Sequence, residues 1–195
     1  MNVNKQTLVT RGLAYLILFC LGVPSINAQI EKKEEEQFPI YWHVKAFRPQ
    51  AKFIDIKAID KNGTKHDVKA IQTYDDTSFL NVKALVNGER LPIKLIVKQG
   101  DRFYPVKAID NDGTIIDIKA ITKDGEIWDV KGVSKSGNLV HLRAISKEGV
   151  FYNIIAVSPK GKVNDVKGIK MMDTEVETVI NGVSIFAHIK SLAQQ

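Results

Sequence analysis

The sequence predicts an all-β fold, an antiparallel meander of about 11–12 short strands, from two regularities that fill most of its 195 residues. The first is the phrase Val-Lys-Ala-Ile. Aligning the chain on its lysine gives Lys45, Lys57, Lys69, Lys83, Lys94, Lys107, Lys119, Lys131, Arg143, Ile155 and Lys167, with a weaker copy around Lys190. From Lys107 to Lys167 every step is 12 residues. The second is a four-residue punctuation ending in glycine: Asp60 to Gly63, Asp110 to Gly113, Thr122 to Gly125, Ser134 to Gly137, Ser146 to Gly149 and Ser158 to Gly161. Each fits a type I turn capped by its first side chain and closed by a left-handed glycine, which predicts three-residue hairpin loops.

Such a loop dictates register. With Lys123, Asp124 and Gly125 in the loop, Thr122 faces Glu126 and pairing continues outward in steps of two. Lys119 then opposes Asp129 and Asp117 opposes Lys131; likewise Lys57 opposes Asp67, Asp55 opposes Lys69 and Asp129 opposes Arg143. Opposite charges across a ladder contribute about 0.2–1 kcal/mol per pair. The alternative architecture, a parallel β-solenoid, would stack lysine on lysine, which is unfavourable along a ladder.

The register sorts side chains onto two faces. One carries the Val before each lysine, the Ala or Gly after it, and a larger residue such as Trp42, Ile54, Tyr104, Trp128 or Tyr152. The other has an Asp/Lys centre with apolar ends, including Ile115, Ile121, Ile127, Val133, Leu139, Ile145 and Phe151. An open sheet this wide would expose too much apolar surface, so it is expected to fold on itself as a sandwich-like or curled barrel-like sheet, or to pair with another chain. The irregular stretch from Thr73 to Tyr104, with Pro92 inside it and Pro105 just after, is the expected corner or edge.

At the N-terminus, Lys5 and Arg11 precede an apolar run from Leu13 to Val23, and Ala28 offers a small residue for cleavage. Residues 1–28 read as a signal peptide, residues 29–39 as a charged linker and residues 40–195 as a single β-repeat domain. The apolar run is too short for a membrane-spanning helix, so no integral membrane span is expected and the mature protein is expected to be secreted or periplasmic. Cys20 sits behind Phe19 inside the apolar run, which argues against a lipid anchor. It is the only cysteine, so the mature chain is expected to have no disulfide, thiol catalysis or cysteine-based metal site. The 28 basic residues, less Lys5 and Arg11, stand against 22 acids, a mature net charge of +4. That charge is spread at regular intervals, so nucleic acid is not an expected partner.

Candidate chemistry is absorbed by the repeat. Asp110-Asn111-Asp112-Gly113 followed by Asp117 invites calcium, yet it lacks one residue before its glycine and a terminal Glu, and the other turns replace the first Asp by Thr122, Ser134, Ser146 and Ser158. His43, His141 and His188 occupy the repeat position of Asp117, with His66 one step away, and they read as substitutions in a polar ladder rather than metal ligands. No catalytic, cofactor-binding or metal residue is assigned, and no cofactor. The remaining expectation is a non-enzymatic exported structural or protein-interaction module, with an unknown protein or a cell-surface polymer as partner and self-association through a sheet face or edge as a further route. The alternative is a carbohydrate-binding module using the aromatic column Trp42, Tyr104, Trp128 and Tyr152, and the third is an enzyme of unrecognised class.

The Val-Lys-Ala-Ile units with Asp two residues before the lysine, together with the leader and the Ala28-Gln29 junction, resemble an uncharacterised family of exported proteins from Bacteroidota. The resemblance covers roughly Lys45 to Lys167. It implies a source and no activity.

Overall fold

The computed structural model describes residues 37–49 and 52–194, with only the backbone at 52. The expected signal peptide and residues 29–36 of the expected linker lie outside these. Residues from Gln37 onward form one compact unit. It is all-β: β1 (Ile40–Arg48), β2 (Lys52–Ile59), β3 (Lys65–Gln72), β4 (Phe79–Val86), β5 (Glu89–Ile96), β6 (Tyr104–Ile109), β7 (Ile115–Ile121), β8 (Ile127–Ser136), β9 (Leu139–Ile145), β10 (Phe151–Val157), β11 (Val163–Ile169), β12 (Thr178–Ile180) and β13 (Val183–Ala193). Every pairing is antiparallel and all 13 strands belong to one sheet, which excludes the parallel solenoid.

The repeat lysines mark the point where each strand changes partner. On one edge, β2 pairs through its first half with β1, up to Lys45↔Asp55, and through its second half with β3, from Lys57↔Asp67. The triangle closes because β3 turns back on β1, with His43↔Lys69. On its other edge β2 runs along β7, centred on Lys57↔Lys119. The same scheme recurs around the molecule. Three-strand corners form from β1, β2 and β3 (corner 1), from β6, β7 and β8 (corner 2), from β9, β10 and β11 (corner 3), and from β4, β5 and β13 (corner 4). Each pair of corners is joined by one two-strand edge: β2–β7, β1–β10, β3–β4, β8–β9, β5–β6 and β11–β13. Four corners and six edges are the connectivity of a tetrahedron. The sheet thus closes on itself as a shell, rather than as two packed layers or a regular barrel.

Sequence-derived register holds only up to each strand centre. Lys57 opposes Asp67 and Lys119 opposes Asp129 as expected. Past the lysine the chain leaves its hairpin partner, so Asp55 opposes Lys45 rather than Lys69, and Asp117 opposes Lys107 rather than Lys131. Asp129 opposes Ile145, while Lys131 opposes Arg143. The physical reason is curvature: strands continuing straight as a meander would leave the apolar face open, whereas switching partner bends each one over a corner and seals that face inside.

The interior carries the predicted apolar face. Along the edges a large residue meets a small one: Ile56 opposes Ala120, Val68 opposes Ala84, Val130 opposes Ala144 and Gly132 opposes Leu142. A shell has less room inside than outside, and the small residue, Ala or Gly, after most of the aligned lysines lets the inner layer fit at close packing. Trp42, Leu95, Ala46, Ala58, Ala70 and Ala144 are fully buried.

Five of the six glycine turns form as predicted. Gly63, Gly113, Gly125, Gly149 and Gly161 take positive φ and donate to the carbonyl three residues back. The turn at Ser134 to Gly137 differs: Ser136 pairs Leu139, giving a two-residue loop with Gly137 first, and a bulge between Gly132 and Ser134 absorbs the change of parity. Two further hairpins use Asn87-Gly88 and Asn181-Gly182, both residues at positive φ, as type I′ loops require. The stretch from Thr73 to Tyr104 contains the regular strands β4 and β5, which meet β13 to complete corner 4.

Candidate functional site

The outer surface is organised by the corners, and their charge differs. At corner 1, Lys45 binds Asp55, Lys57 binds Asp67, and Lys69 donates to His43 Nδ1 at 3.0 Å. At corner 2, Lys107 binds Asp117, Lys119 binds Asp129 at 2.6 Å, and Pro105 stands opposite Lys131. At corner 3, Arg143 faces Asn153, Ile155 faces Asp165, and Lys167 faces His141. Corner 4 has three lysines and no acid in the ladder: Lys83 faces Pro92, Lys94 faces His188 and Lys190 faces Asn81.

Burial and mutual repulsion act on these lysines. Desolvation, then the charges of Lys190 and Lys83, lowers the Lys94 pKa to about 8. Lys190 is lowered by burial and by Lys83, and Lys83 by burial alone. Lys94 Nζ lies 2.6 Å from His188 Nδ1. Burial and the neighbouring Lys94 charge lower the His188 pKa, which leaves Nδ1 free to accept from the lysine. His188 Nε2 in turn lies 3.4 Å from Glu177 Oε2.

Glu177 belongs to the non-repeat segment between β11 and β12 and is buried. Its Oε1 accepts from the backbone N–H of Met171 and of Met172, the latter at 2.9 Å. Its Oε2 has no hydrogen-bond partner among the described residues. Beside it, buried Lys170 donates to the carbonyls of Thr174 and Phe186, each at 2.8 Å, and its Nζ lies 4.1 Å from the Phe186 ring centre. Lys94, Lys170, Glu177 and His188 were not singled out by the repeat pattern as a group. The available signal was that 170–182 interrupts the repeat while carrying Glu177.

Other predicted features are placed as follows. The two tryptophans of the aromatic column lie inside, Trp42 0 % and Trp128 5 % exposed, while the half-buried Tyr152 stacks on Trp128 at 5.3 Å and Tyr104 on Phe186 at 3.5 Å. The column offers no groove for sugar rings. The Asp110 turn spends its carboxylates on caps, Asp110 to Asn111 N–H at 2.6 Å and Asp112 to Thr114 N–H at 2.8 Å, while Asp117 is held by Lys107. His66 bonds Asp60 at 2.9 Å. Among the described residues no three His, Cys, Asp or Glu side chains are grouped to hold a metal, and no helix is long and apolar enough to cross a membrane.

The apolar ends of the outer face converge between corners. Where corners 1, 2 and 3 surround one facet, Phe47 opposes Phe53, Ile121 opposes Ile127 and Ile145 opposes Phe151. Across the intervening edges Asp55 opposes Ile121, Asp129 opposes Ile145 and Phe47 opposes Asn153. The three apolar pairs are therefore diagonal neighbours in a closed ring. Phe47, Phe53, Ile127 and Phe151 are 42–48 % exposed. Elsewhere the chain covers such residues itself: Ile96 and Ile109 cluster with Ile185 under Ile180 and Val183 of the β12–β13 hairpin.

The chain belongs to a protein family of unknown function, DUF7486, whose profile matches residues 38–192. Neither curated proteins nor solved structures gave a match. The matched span runs from just before β1 nearly to the end of β13.

Proposed function

We propose that the protein is a non-enzymatic exported interaction module, held to a protein partner by the open facet among corners 1, 2 and 3. The ring of Phe47, Phe53, Ile121, Ile127, Ile145 and Phe151 carries this reading, because equivalent outward residues at Ile96 and Ile109 are buried by the chain's own hairpin, whereas here Phe47, Phe53, Ile127 and Phe151 remain exposed and Ile121 and Ile145 are half-buried between them. Its aromatic and aliphatic centre has a charged rim, with Lys147 bonded to Glu126 at 3.1 Å across two of the surrounding turns. An apolar centre and polar rim suit a protein interface. Phe47 and Phe53 are tilted by 48°, which is a poor platform for a flat sugar ring.

Export rests on the Lys5, Arg11, Leu13 to Val23 and Ala28 pattern. A photo-crosslinking residue at Phe53 or Ile121, in the full chain expressed in its own cell, tests the facet. The expected result is a discrete protein adduct from both positions and none from a control at Asn62. Adducts equal to the control, or to glycan alone, would overturn the facet, and a native N-terminus before Gln29 would overturn the export.

A further inference from the structure

Corner 4 stands opposite the proposed docking facet and carries a different chemistry. Each of the other corners supplies at least one carboxylate to its own ladder: Asp55 and Asp67, Asp117 and Asp129, and Asp165. These are internal demonstrations of what the position accepts, since Lys119 Nζ holds an Asp129 oxygen at 2.6 Å. At corner 4 the same three positions hold Asn81, Pro92 and His188.

We propose that corner 4 binds a tetrahedral oxyanion, a phosphate or sulfate group, between the ammonium groups of Lys83, Lys94 and Lys190 and beside the Asn81 side chain. Several observations converge on this. At corner 1 the three equivalent lysines, Lys45, Lys57 and Lys69, line one shallow depression on the corner axis. Lys83 and Lys190 are close enough to lower the proton affinity of Lys94, and Lys83 that of Lys190. No acid pairs with them directly among the described residues. Among the described residues Glu177 is the acid whose charge reaches Lys94, and it lies 3.4 Å from His188, so one acid stands against three bases. The flanking edge lysines Lys69, Lys107 and Lys167 each have an acid within reach: Asp67 at 3.3 Å, shared with Lys57; Asp117, shared with Lys119; and Asp165 at 3.3 Å. Lys94 and Lys190 rest on neutral acceptors, His188 Nδ1 and Asn81 Oδ1. An anion with several charged oxygens would engage all three ammonium groups at once, which a single carboxylate from the chain would not.

The test is titration of the ¹⁵N-labelled mature chain with inorganic phosphate, and in parallel with phenyl phosphate, at ionic strength held constant with sodium chloride. Saturable shifts are expected at the amides of Asn81, Lys83, Lys94 and Lys190. Lys83→Gln with Lys190→Gln should weaken binding at least tenfold, while Lys119→Gln at corner 2 should leave it unchanged. Phenyl phosphate binding as well as phosphate places the group on a larger molecule, and binding of phosphate alone makes the ligand the free ion. Shifts spread equally over corners 1, 2 and 4 would overturn the proposal, as would unchanged affinity in the double variant. The map on the unaltered protein decides the matter even if that variant folds poorly.

Discussion

Leu95 occupies the space that a side chain on Gly168 would need. A Cβ built on Gly168 would lie 2.6 Å from Leu95 Cδ1 and 3.0 Å from Val140 Cβ. Leu95 stands where the repeat elsewhere has Ala, directly after the aligned lysine, and it opposes Val106 so that this edge pairs two large residues. Gly132 and Gly168, in the Ala position of their own strands, make room for it. Gly168→Ala should therefore destabilise by about 1–3 kcal/mol through overpacking. Leu95→Ala should cost about 2–5 kcal/mol by leaving a cavity. The double variant should lose distinctly less than the sum, read from urea midpoints. Strict additivity would show that the two residues do not share that space.

Ser191 departs from the repeat in the opposite way. It follows Lys190 in the column held in most strands by Ala, faces Val166 and Leu80, is 0 % exposed, and its Oγ has no hydrogen-bond partner among the described residues. A buried hydroxyl without a partner costs about 1–3 kcal/mol. Ser191→Ala restores the repeat and should stabilise by about 1 kcal/mol, raising the thermal midpoint. A lowered midpoint would mean that the hydroxyl is bonded.

The lysines, the inner face and the hairpin turns were legible because each depends on neighbours within one repeat. Val44, Ile56 and Val68 are inside because they alternate with Lys45, Lys57 and Lys69. What lay beyond the sequence was which strand follows once the lysine is passed. Asp117 has Lys107 and Lys131 equally placed on the two sides of its hairpins, and closure of the whole shell decides between them. Closure also brings basic residues face to face, as Lys57↔Lys119 and Lys131↔Arg143, an arrangement that pairwise charge logic had assigned only to a parallel stack. Corner 4 was hidden for a further reason: Lys83, Lys94 and Lys190 look ordinary until the fold shows which three ladder positions face them.

Stability should rise with pH in two windows. Lys94, at about 8 in the folded protein against an ordinary 10.5, binds fewer protons folded than unfolded between those values. The unfolded chain then holds the extra proton, so folding gains as pH rises from 8 to 10.5. His43, His141 and His188 are lowered below 6.5 chiefly by burial and next by a neighbouring lysine. The same sign makes stability fall as pH drops through and below 6.5. Asp67 and Asp129, held down by hydrogen bonds from Lys57 and Lys119, add to the acid loss at lower pH. Chemical denaturation across pH should show the alkaline rise, and Lys94→Gln should flatten it. A wild-type profile flat from 8 to 10 would contradict the burial of that charge.

The closed shell can be distinguished from a straight meander by exchanging charges. In the shell Asp117 belongs to Lys107 across corner 2, with Lys119 on its own strand 3.8 Å away. A straight meander would give it Lys131 as well. Asp117→Lys alone places a lysine against Lys107 and Lys119 and should destabilise, by roughly 1 kcal/mol for partly exposed groups. Adding Lys107→Asp recreates an opposed pair with the signs reversed and should recover part of the loss, on the order of 0.5 kcal/mol. Adding Lys131→Asp instead should recover little, because Lys131 faces Pro105 on one side and Arg143 on the other. It would also set a new acid against Arg143, so the single Lys131→Asp must be measured to separate that gain. The cycles belong at low salt, where screening is weakest. Rescue by Lys131→Asp equal to that by Lys107→Asp, after this subtraction, would mean that β7 does not change partner at Lys119, and the tetrahedral pairing would fail with it.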